Sequence, residues 1–186
     1  MTQLDLLNLI ASNPDFMTIL NIIESLQLKD CWLAAGSIRN AIWNHLDQSP
    51  LFDQETDLDV VFFDPDLSYE DTLCLEQNLI KRYPHYHWEL KNQVYMHHHN
   101  PNTKPYTSAR DAISKYPEKA TALALRLTAG QLELFAPYGL EDVTHFILSP
   151  TPHFSQDSER LALFNKRLQK KDWQKKWPKL TIINSD

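Results

Sequence analysis

The chain has 186 residues, of which 42% are hydrophobic and 23% charged, and its formal net charge is −6. This composition, with five tryptophans, seven tyrosines and eight phenylalanines, is typical of a folded globular protein and excludes a disordered chain. The acidic excess argues against a general nucleic-acid binder, because affinity for the phosphate backbone comes from clustered Lys and Arg.

The cysteines and the first residues indicate the compartment. Cys31 and Cys74 lie in apolar stretches without CxxC spacing, so we expect two buried thiols and a reducing environment. The N-terminus has no basic region followed by an apolar stretch, and no window approaches the ~18 apolar residues of a membrane span. We therefore expect a cytoplasmic protein without a membrane segment.

Apolar residues recur at helical spacing through the first 26 positions and predict two helices. Asn13 and Pro14 between them supply an N-cap and a proline at the first helical position. We assign residues 1–30 to this N-terminal helical segment.

A short apolar strand and a glycine-serine turn follow. Residues 31–35 form the predicted strand, which ends at Gly36, and Ser37 is a suitable N-cap for a helix that continues to about Leu46. Such a turn leaves backbone N–H groups at the start of a helix, where they can bind a phosphate.

Two aspartates open the next predicted strand. Residues 56–63 are rich in β-branched and aromatic side chains, and Asp57 and Asp59 occupy positions i and i+2, so both carboxylates point to the same side. Two adjacent carboxylates repel each other unless a divalent cation lies between them, and Mg²⁺ prefers carboxylate together with phosphate oxygens. With the turn at Gly36, this pattern predicts a site for a metal-bound nucleotide.

Later segments alternate between helix and strand. Two Ser-x-x-Asp capping boxes, at Ser68 and Ser108, predict a helix that continues to Arg82 and a second, short helix. Tyrosine, serine and aspartate side chains at 106–111 suit an acceptor-substrate pocket, although capping explains the serine and the aspartate without a ligand. Further strands are predicted at 86–94, 121–128 and 131–136, the last two as a hairpin.

The amphipathic pattern of residues 157–176 predicts one terminal helix. We find no linker and expect a single domain over 1–186, with a catalytic core at 31–150 and a C-terminal extension at 151–186. Eight of the eighteen Lys and Arg residues lie in the last 27 positions. This basic run is typical of a solvated helix face, and the alternative is an electrostatic site for a substrate or partner.

Two other kinds of site are not supported. The chain has three glycines and neither a G-x-G-x-x-G nor a P-loop pattern, which excludes Rossmann and P-loop nucleotide sites. The run His97, His98 and His99 suggests zinc, but adjacent histidines on an extended chain point to opposite sides. No cysteine or spaced carboxylate completes a tetrahedral set around them.

The apolar segment with Gly36 and Ser37, followed by the strand with Asp57 and Asp59, resembles the nucleotidyltransferase superfamily of DNA polymerase beta and the aminoglycoside nucleotidyltransferases. Over most of its length the chain is similar to a bacterial nucleotidyltransferase-like family. The matching blocks follow in order: Trp32–Asn40, Asp57–Val60, Trp88–Gln93, Pro105–Ser108 with Asp111–Ile113, and Phe135–Leu140.

This resemblance implies an α+β fold with a polymerase beta-like mixed sheet flanked by helices, N-terminal helices and a C-terminal helix. It also implies a nucleoside triphosphate (NTP) donor and Mg²⁺ or Mn²⁺ held by Asp57 and Asp59. In the superfamily a third carboxylate lies on the strand after the intervening helix. Glu89 is the best match, and Glu133, in an alternating strand, is the alternative.

The resemblance further implies a set of nucleotide contacts. Gly36, Ser37 and the backbone after them would hold the terminal phosphates. Arg39 would reach a phosphate or pair with a carboxylate, and Asn40 would contact the nucleotide or hold the turn. Lys91 lies on the same side of its strand as the candidate third carboxylate, and it would neutralise either that group or a phosphate.

Two functions from different classes are consistent with these residues. The first is a Mg-dependent nucleotidyltransferase, in which an acceptor hydroxyl attacks the α-phosphate in line. The acidic charge favours a small-molecule or protein acceptor over long nucleic acid. The second is a catalytically silent fold that binds a nucleotide or a partner protein, as an antitoxin-like or regulatory member would. Retention of Asp57 and Asp59 favours the enzyme.

Overall fold

The computed structural model describes residues 1–183, and a five-stranded mixed sheet in the order β3-β2-β1-β4-β5 lies at its centre. β2 and β3 are parallel, whereas the other neighbouring pairs are antiparallel. The strands are β1 (Trp32–Ala34), β2 (Asp57–Phe62), β3 (His87–Asn92), β4 (Ala124–Thr128) and β5 (Gln131–Phe135). The predicted α+β fold with a mixed sheet is confirmed.

Helices flank this sheet and also follow it along the chain. They are α1 (Gln3–Ala11), α2 (Pro14–Ser25), α3 (Gly36–Leu46), α4 (Tyr69–Arg82), α5 (Ala109–Ser114), α6 (Glu141–Thr144), α7 (Pro152–Ser155), α8 (Ser158–Lys171) and α9 (Trp173–Lys176). A small parallel pair, β6 (Ile147–Leu148) and β7 (Thr181–Ile182), joins the end of the chain to the segment after α6.

The predicted caps set the helix starts. The Asn13 side chain accepts a hydrogen bond from the Phe16 N–H at 3.0 Å, with Pro14 as the first residue of α2. Ser68 caps α4 and Ser108 caps α5, each by accepting the N–H of the aspartate three residues later at 3.0 Å. Because these signals are local, the sequence predicted these starts correctly.

Both faces of the sheet are covered. Leu33 of β1 points into a core that extends from Leu6 in α1 to Leu180 near the end of the chain. Its neighbours Trp32 and Ala34 point to the opposite face, where they pack with α5. The terminal segments therefore share the larger core with the sheet.

Trp43 of α3 joins the C-terminal segment to that core. Its side chain is fully buried, its indole N–H donates to the Val143 carbonyl at 2.9 Å, and its ring lies 4.9 Å from that of Trp177 between centroids. Phe146 and Trp173 complete the aromatic cluster. As a result, α9 is held against α3.

Three local predictions are wrong. α3 begins at Gly36 with Ala35 as its N-cap, so Ser37 lies inside the helix. The predicted terminal helix is broken at Asp172, whose φ of 43° and ψ of 39° are left-handed, into α8 and α9. Cys74 is exposed on α4, although we expected it to be buried.

Cys31 is partly buried, and burial raises the pKa of its thiol to about 12. A thiol with a raised pKa carries little thiolate at neutral pH and is therefore a weak nucleophile.

No single helix in residues 1–183 has both the length and the apolar composition of a membrane span; α1 and α2 reach them only as a pair, with a bend of 89° between them.

Replacement of the Trp177 side chain tests the aromatic cluster. Trp177→Ala is expected to lower the free energy of unfolding by ~3–5 kcal/mol, because a nearly buried indole leaves a cavity against Trp43. Urea denaturation would measure the loss. Lys175→Ala, on the exposed side of α9, is the control and should change stability by less than ~0.5 kcal/mol. A small loss for Trp177→Ala would contradict the packing described.

Candidate active site

The aspartates of β2 line a cleft between the start of α3 and the C-terminal helices α8 and α9. Its volume is about 450 Å³. It is lined mostly by charged and polar side chains, among them Arg39, Asn40, Asp53, Glu55, Thr56, Asp57, Asp59, Glu89, Thr121, Arg167, Lys171, Asp172 and Lys176. Five candidate residues of the sequence analysis besides Gly36 therefore lie in one cleft.

The turn from β1 into α3 is strained at Ala35. Its φ of 55° and ψ of −123° lie in a region that L side chains rarely adopt. The Ala35 N–H donates to the Leu123 carbonyl at 3.0 Å, and the Ala35 carbonyl accepts from Arg39 N–H at 3.1 Å. These hydrogen bonds to the segment before β4 and within α3 hold the turn, which places Gly36 beside the carboxylates.

Ser37 joins α3 to β2. The side chain is 2% exposed, and its hydroxyl donates to the Asp57 carbonyl at 3.0 Å while accepting the Asp59 N–H at 3.1 Å. The hydroxyl is thus engaged with the backbone of the strand that carries both aspartates. Only the backbone of this residue remains available for the phosphate contact that we expected.

Asp59 is the most buried carboxylate of the cleft. Gly36 donates its N–H to Asp59 Oδ2 at 3.2 Å, and a Cβ added at Gly36 would lie 3.4 Å from that oxygen. Burial, and next the negative charge of Glu89, raise the pKa of Asp59 to about 6, with a smaller contribution from Asp57. The Gly36 N–H and Arg39 act in the opposite direction.

Glu89, and not Glu133, lies with the aspartates. In the parallel pair β2–β3, Glu89 is in register with Asp59, and both line the cleft. Glu133 lies on β5 at the opposite edge of the sheet, where Arg110 and Arg126 pair with it. This geometry supports Glu89 as the third carboxylate.

Arg39 lines the cleft but is committed to contacts within the protein. It is 4% exposed and donates to Asn40 Oδ1 at 2.9 Å and to Thr121 Oγ1 at 2.9 Å. Its guanidinium stacks on the rings of Trp43 and Trp173, at 4.9 Å and 4.3 Å from the centroids. Burial lowers the pKa of Arg39 to about 10.

Lys91, which we predicted as a nucleotide contact, lies outside this cleft. As expected it shares a strand face with Glu89, but its ammonium group lies 3.3 Å from Glu76 on α4. It lines a second cavity instead.

Sequence reasoning did not single out the C-terminal residues of the cleft. Arg167 and Lys171 of α8 line it with Lys176 of α9. Arg167 donates through Nε to Glu118 at 2.7 Å, and Lys176 pairs with Asp53. All three belong to the basic run of the last 27 residues, which was the available signal for them.

A second cavity of about 350 Å³ lies on the other side of Asp59. The two cavities share Ala35, Asp59, Thr121 and Arg167. The second is less charged, and its other lining residues are Val61, Lys91, Gln93, Met96, His99, Asn100, Tyr106, Tyr116 and Pro117.

The structure separates the residues of the 106–111 segment. Tyr106 lines the second cavity, whereas Ser108 caps α5 and Asp111 pairs with Lys115 at 2.7 Å. The cap therefore accounts for the serine, as the sequence allowed.

The histidine run forms a 3₁₀ turn, His97–His99, and His99 borders the second cavity. In the described part of the chain, no three His, Cys, Asp or Glu side chains form a ready-made metal site.

Comparisons with known proteins agree with this geometry. A family model described as "Nucleotidyltransferase" matches residues 21–182, so the chain belongs to this nucleotidyltransferase family and is a nucleotidyltransferase. No curated protein matches the chain.

A solved structure entitled "The NMR structure of the protein reveals a CCA-adding enzyme head domain" is 55% identical in sequence. The alignment covers 99% of this chain and 97% of that one, with a TM-score of 0.93. The nucleotidyltransferase fold expected from the sequence is confirmed.

The raised pKa of Asp59 predicts a pH-dependent stability. Its carboxyl group has a pKa of about 6 in the folded state, against an ordinary value of 3.8. The protein loses stability as pH rises through this interval, because the folded state holds the proton longer than the unfolded chain does. Asp59→Asn should therefore be more stable than wild type by ~1–3 kcal/mol at pH 7.5, with the difference vanishing near pH 4.

Urea denaturation in EDTA at several pH values would measure this difference. Asp66→Asn is the control, because Asp66 is exposed and lies outside the cleft. A gap between Asp59→Asn and wild type that is the same at pH 4 and pH 7.5 would contradict the assignment.

Proposed function

We propose that the chain transfers a nucleoside monophosphate from an NTP to a hydroxyl group of an acceptor, with Mg²⁺ or Mn²⁺ bound at Asp57 and Asp59. The observation that carries this proposal is the position of Asp59, between the start of α3 and the register-paired Glu89, where two cavities meet.

The carboxylates of the cleft fit a divalent cation. Asp59 has its pKa raised partly by the charges of Glu89 and Asp57, and a bound cation would offset that repulsion. Mg²⁺ typically takes one or two carboxylates and completes its shell with waters and substrate phosphates, so a preformed cage of protein ligands is not required. When bound, the ion supplies charge neutralisation at the reacting phosphate.

The candidate residues of the cleft have different roles in this proposed reaction. The first turn of α3, at Gly36, faces the cleft and provides the positive end of the helix dipole for phosphate binding. Ser37 fixes β2 so that Asp57 and Asp59 stay on the same side of the cleft. Glu89 orients the attacking hydroxyl and accepts its proton. Asn40 and Arg39 hold the wall beside the phosphates.

The second cavity suits the acceptor, because in-line attack requires the hydroxyl to approach from the side opposite the leaving pyrophosphate. Its volume of about 350 Å³ accommodates a small molecule or the last unit of a longer chain. The net charge of −6 favours a small molecule or a protein, whereas the neighbour described as a CCA-adding enzyme head domain favours an RNA end.

The catalytically silent alternative would require no acidic site. Three carboxylates retained in one cleft, next to a strained turn, favour the enzyme, because their mutual repulsion opposes folding and gives a silent protein no benefit.

Binding of the donor should depend on the ion and on the aspartates. One of ATP, GTP, CTP and UTP is expected to raise the melting temperature of wild type in the presence of Mg²⁺, because a ligand that binds only the folded state stabilises it. Asp57→Asn/Asp59→Asn should abolish this shift. Asp64→Asn/Asp66→Asn has the same spacing outside the cleft and should keep it. Without a Mg-dependent shift in wild type, the proposed function fails.

Transfer should depend on Glu89 more than binding does. Glu89→Gln is expected to reduce label transfer from an α-³²P-labelled NTP ~10²- to 10⁴-fold, because loss of a general base affects the chemical step. The Kd of the variant for the NTP should stay nearly unchanged. Glu133→Gln is the matched control and should keep full activity. The label would be followed into the small-molecule, protein and RNA fractions of a cell extract. Equal losses in both variants would rule out the role of Glu89.

A further inference from the structure

We propose that Arg167, on the C-terminal helix α8, binds the phosphates of the donor nucleotide at the junction of the two cavities. This inference deepens the proposed function and rests on it, because it assigns the phosphate-binding arginine of the same site. It replaces Arg39, the arginine near the start of α3, in that role.

Arg39 has little capacity left for a ligand. All three of its nitrogens donate to protein oxygens, two to Asn40 and one to Thr121. Its guanidinium is enclosed by the rings of Trp43 and Trp173, and the residue is 4% exposed. Arg39 therefore supports the wall of the cleft.

Arg167, unlike Arg39, has nitrogens available for a ligand. Its Nε donates to Glu118, and within residues 1–183 neither of its Nη atoms has a hydrogen-bond partner. Its side chain is 34% exposed and lines both cavities, as Asp59 does. The outer edge of the guanidinium is thus available where the donor and the acceptor would meet.

Glu118 holds this guanidinium in place. It is fully buried, Oε1 accepts from Arg167, and Oε2 has no partner among the described residues. A buried carboxylate paired through Nε restrains a long side chain that would otherwise sample many rotamers. Glu118 is therefore a positioning residue for Arg167, and the remaining Nη groups form the planar fork that matches a phosphate.

The direction of α8 suggests how the donor lies. Arg167 borders both cavities, whereas Lys171, one turn later on the same face, borders only the larger cleft. The α-phosphate must lie where the acceptor can reach it, at Arg167. The outer phosphates would then extend toward Lys171, so Arg167 would also stabilise the charge that develops on the reacting phosphate.

Isothermal titration calorimetry with Mg-tripolyphosphate and with the Mg-NTP that stabilises wild type tests this assignment. Arg167→Ala would leave Glu118 buried without a partner and can fail to fold. The main variant is therefore Arg167→Gln/Glu118→Gln, which keeps a side-chain hydrogen bond and leaves the net charge unchanged. Arg167→Lys keeps the charge and removes the fork.

The double variant is expected to bind both ligands about 10- to 100-fold more weakly, the effect of losing charged hydrogen bonds. Arg167→Lys should fall between it and wild type. Lys166→Ala, exposed on the neighbouring position of α8, is the control and should stay within about twofold of wild type in 0.15 M salt. Thermal unfolding of each variant would show that it folds.

The outcomes separate this inference from the proposed function. If wild type binds Mg-NTP and the folded double variant binds it equally well, the assignment of Arg167 is wrong and the proposed function stands. A loss for Mg-NTP without a loss for Mg-tripolyphosphate would also overturn it, because Arg167 would then contact the nucleoside. If wild type binds no Mg-NTP, both proposals fail.

Discussion

The hydroxyl of Ser37 is the contact on which the arrangement of the site depends. It joins the first turn of α3 to the backbone of Asp57 and Asp59 by two hydrogen bonds, and the serine itself is almost fully buried. Since side chains alternate along a strand, a shift of β2 by one residue would turn both carboxylates away from the cleft. This one buried hydroxyl therefore fixes helix, strand register and carboxylates relative to one another.

The same arrangement opposes stability. Asp59 is held in a poorly hydrated position next to Glu89 and near Asp57, and Ala35 adopts a strained backbone conformation one residue before α3. Neither feature helps the chain to fold, and buried carboxylates and strained backbone of this kind cluster at functional sites. The aromatic and aliphatic core on both faces of the sheet supplies the stability that offsets them.

Structural features that depend on neighbours within a few residues were predicted well from the sequence, whereas features set by distant contacts were not. The start of α4 at its Ser68 cap and the position of Asp57 and Asp59 on β2 depend on capping and alternation, which are local. Ser37 has the chemistry of an N-cap, but its hydrogen bonds to β2 place it inside α3. The break at Asp172 has no proline or glycine to mark it. Such contacts depend on the assembled fold, so the sequence pointed to the carboxylates of the cleft individually but not to Arg167, Lys171 and Lys176.

The C-terminal helices make core and site inseparable. The aromatic contacts between Trp43 and Trp177 hold α9 in the larger core, while the pair between Arg167 and Glu118 anchors α8 beside the carboxylates. The basic wall is thus supported by packing that lies outside the cleft. That wall carries the positive charges that face the carboxylates. Loosening of the tryptophan cluster would therefore move these charges away and weaken their attraction to the carboxylates, even with every carboxylate in place.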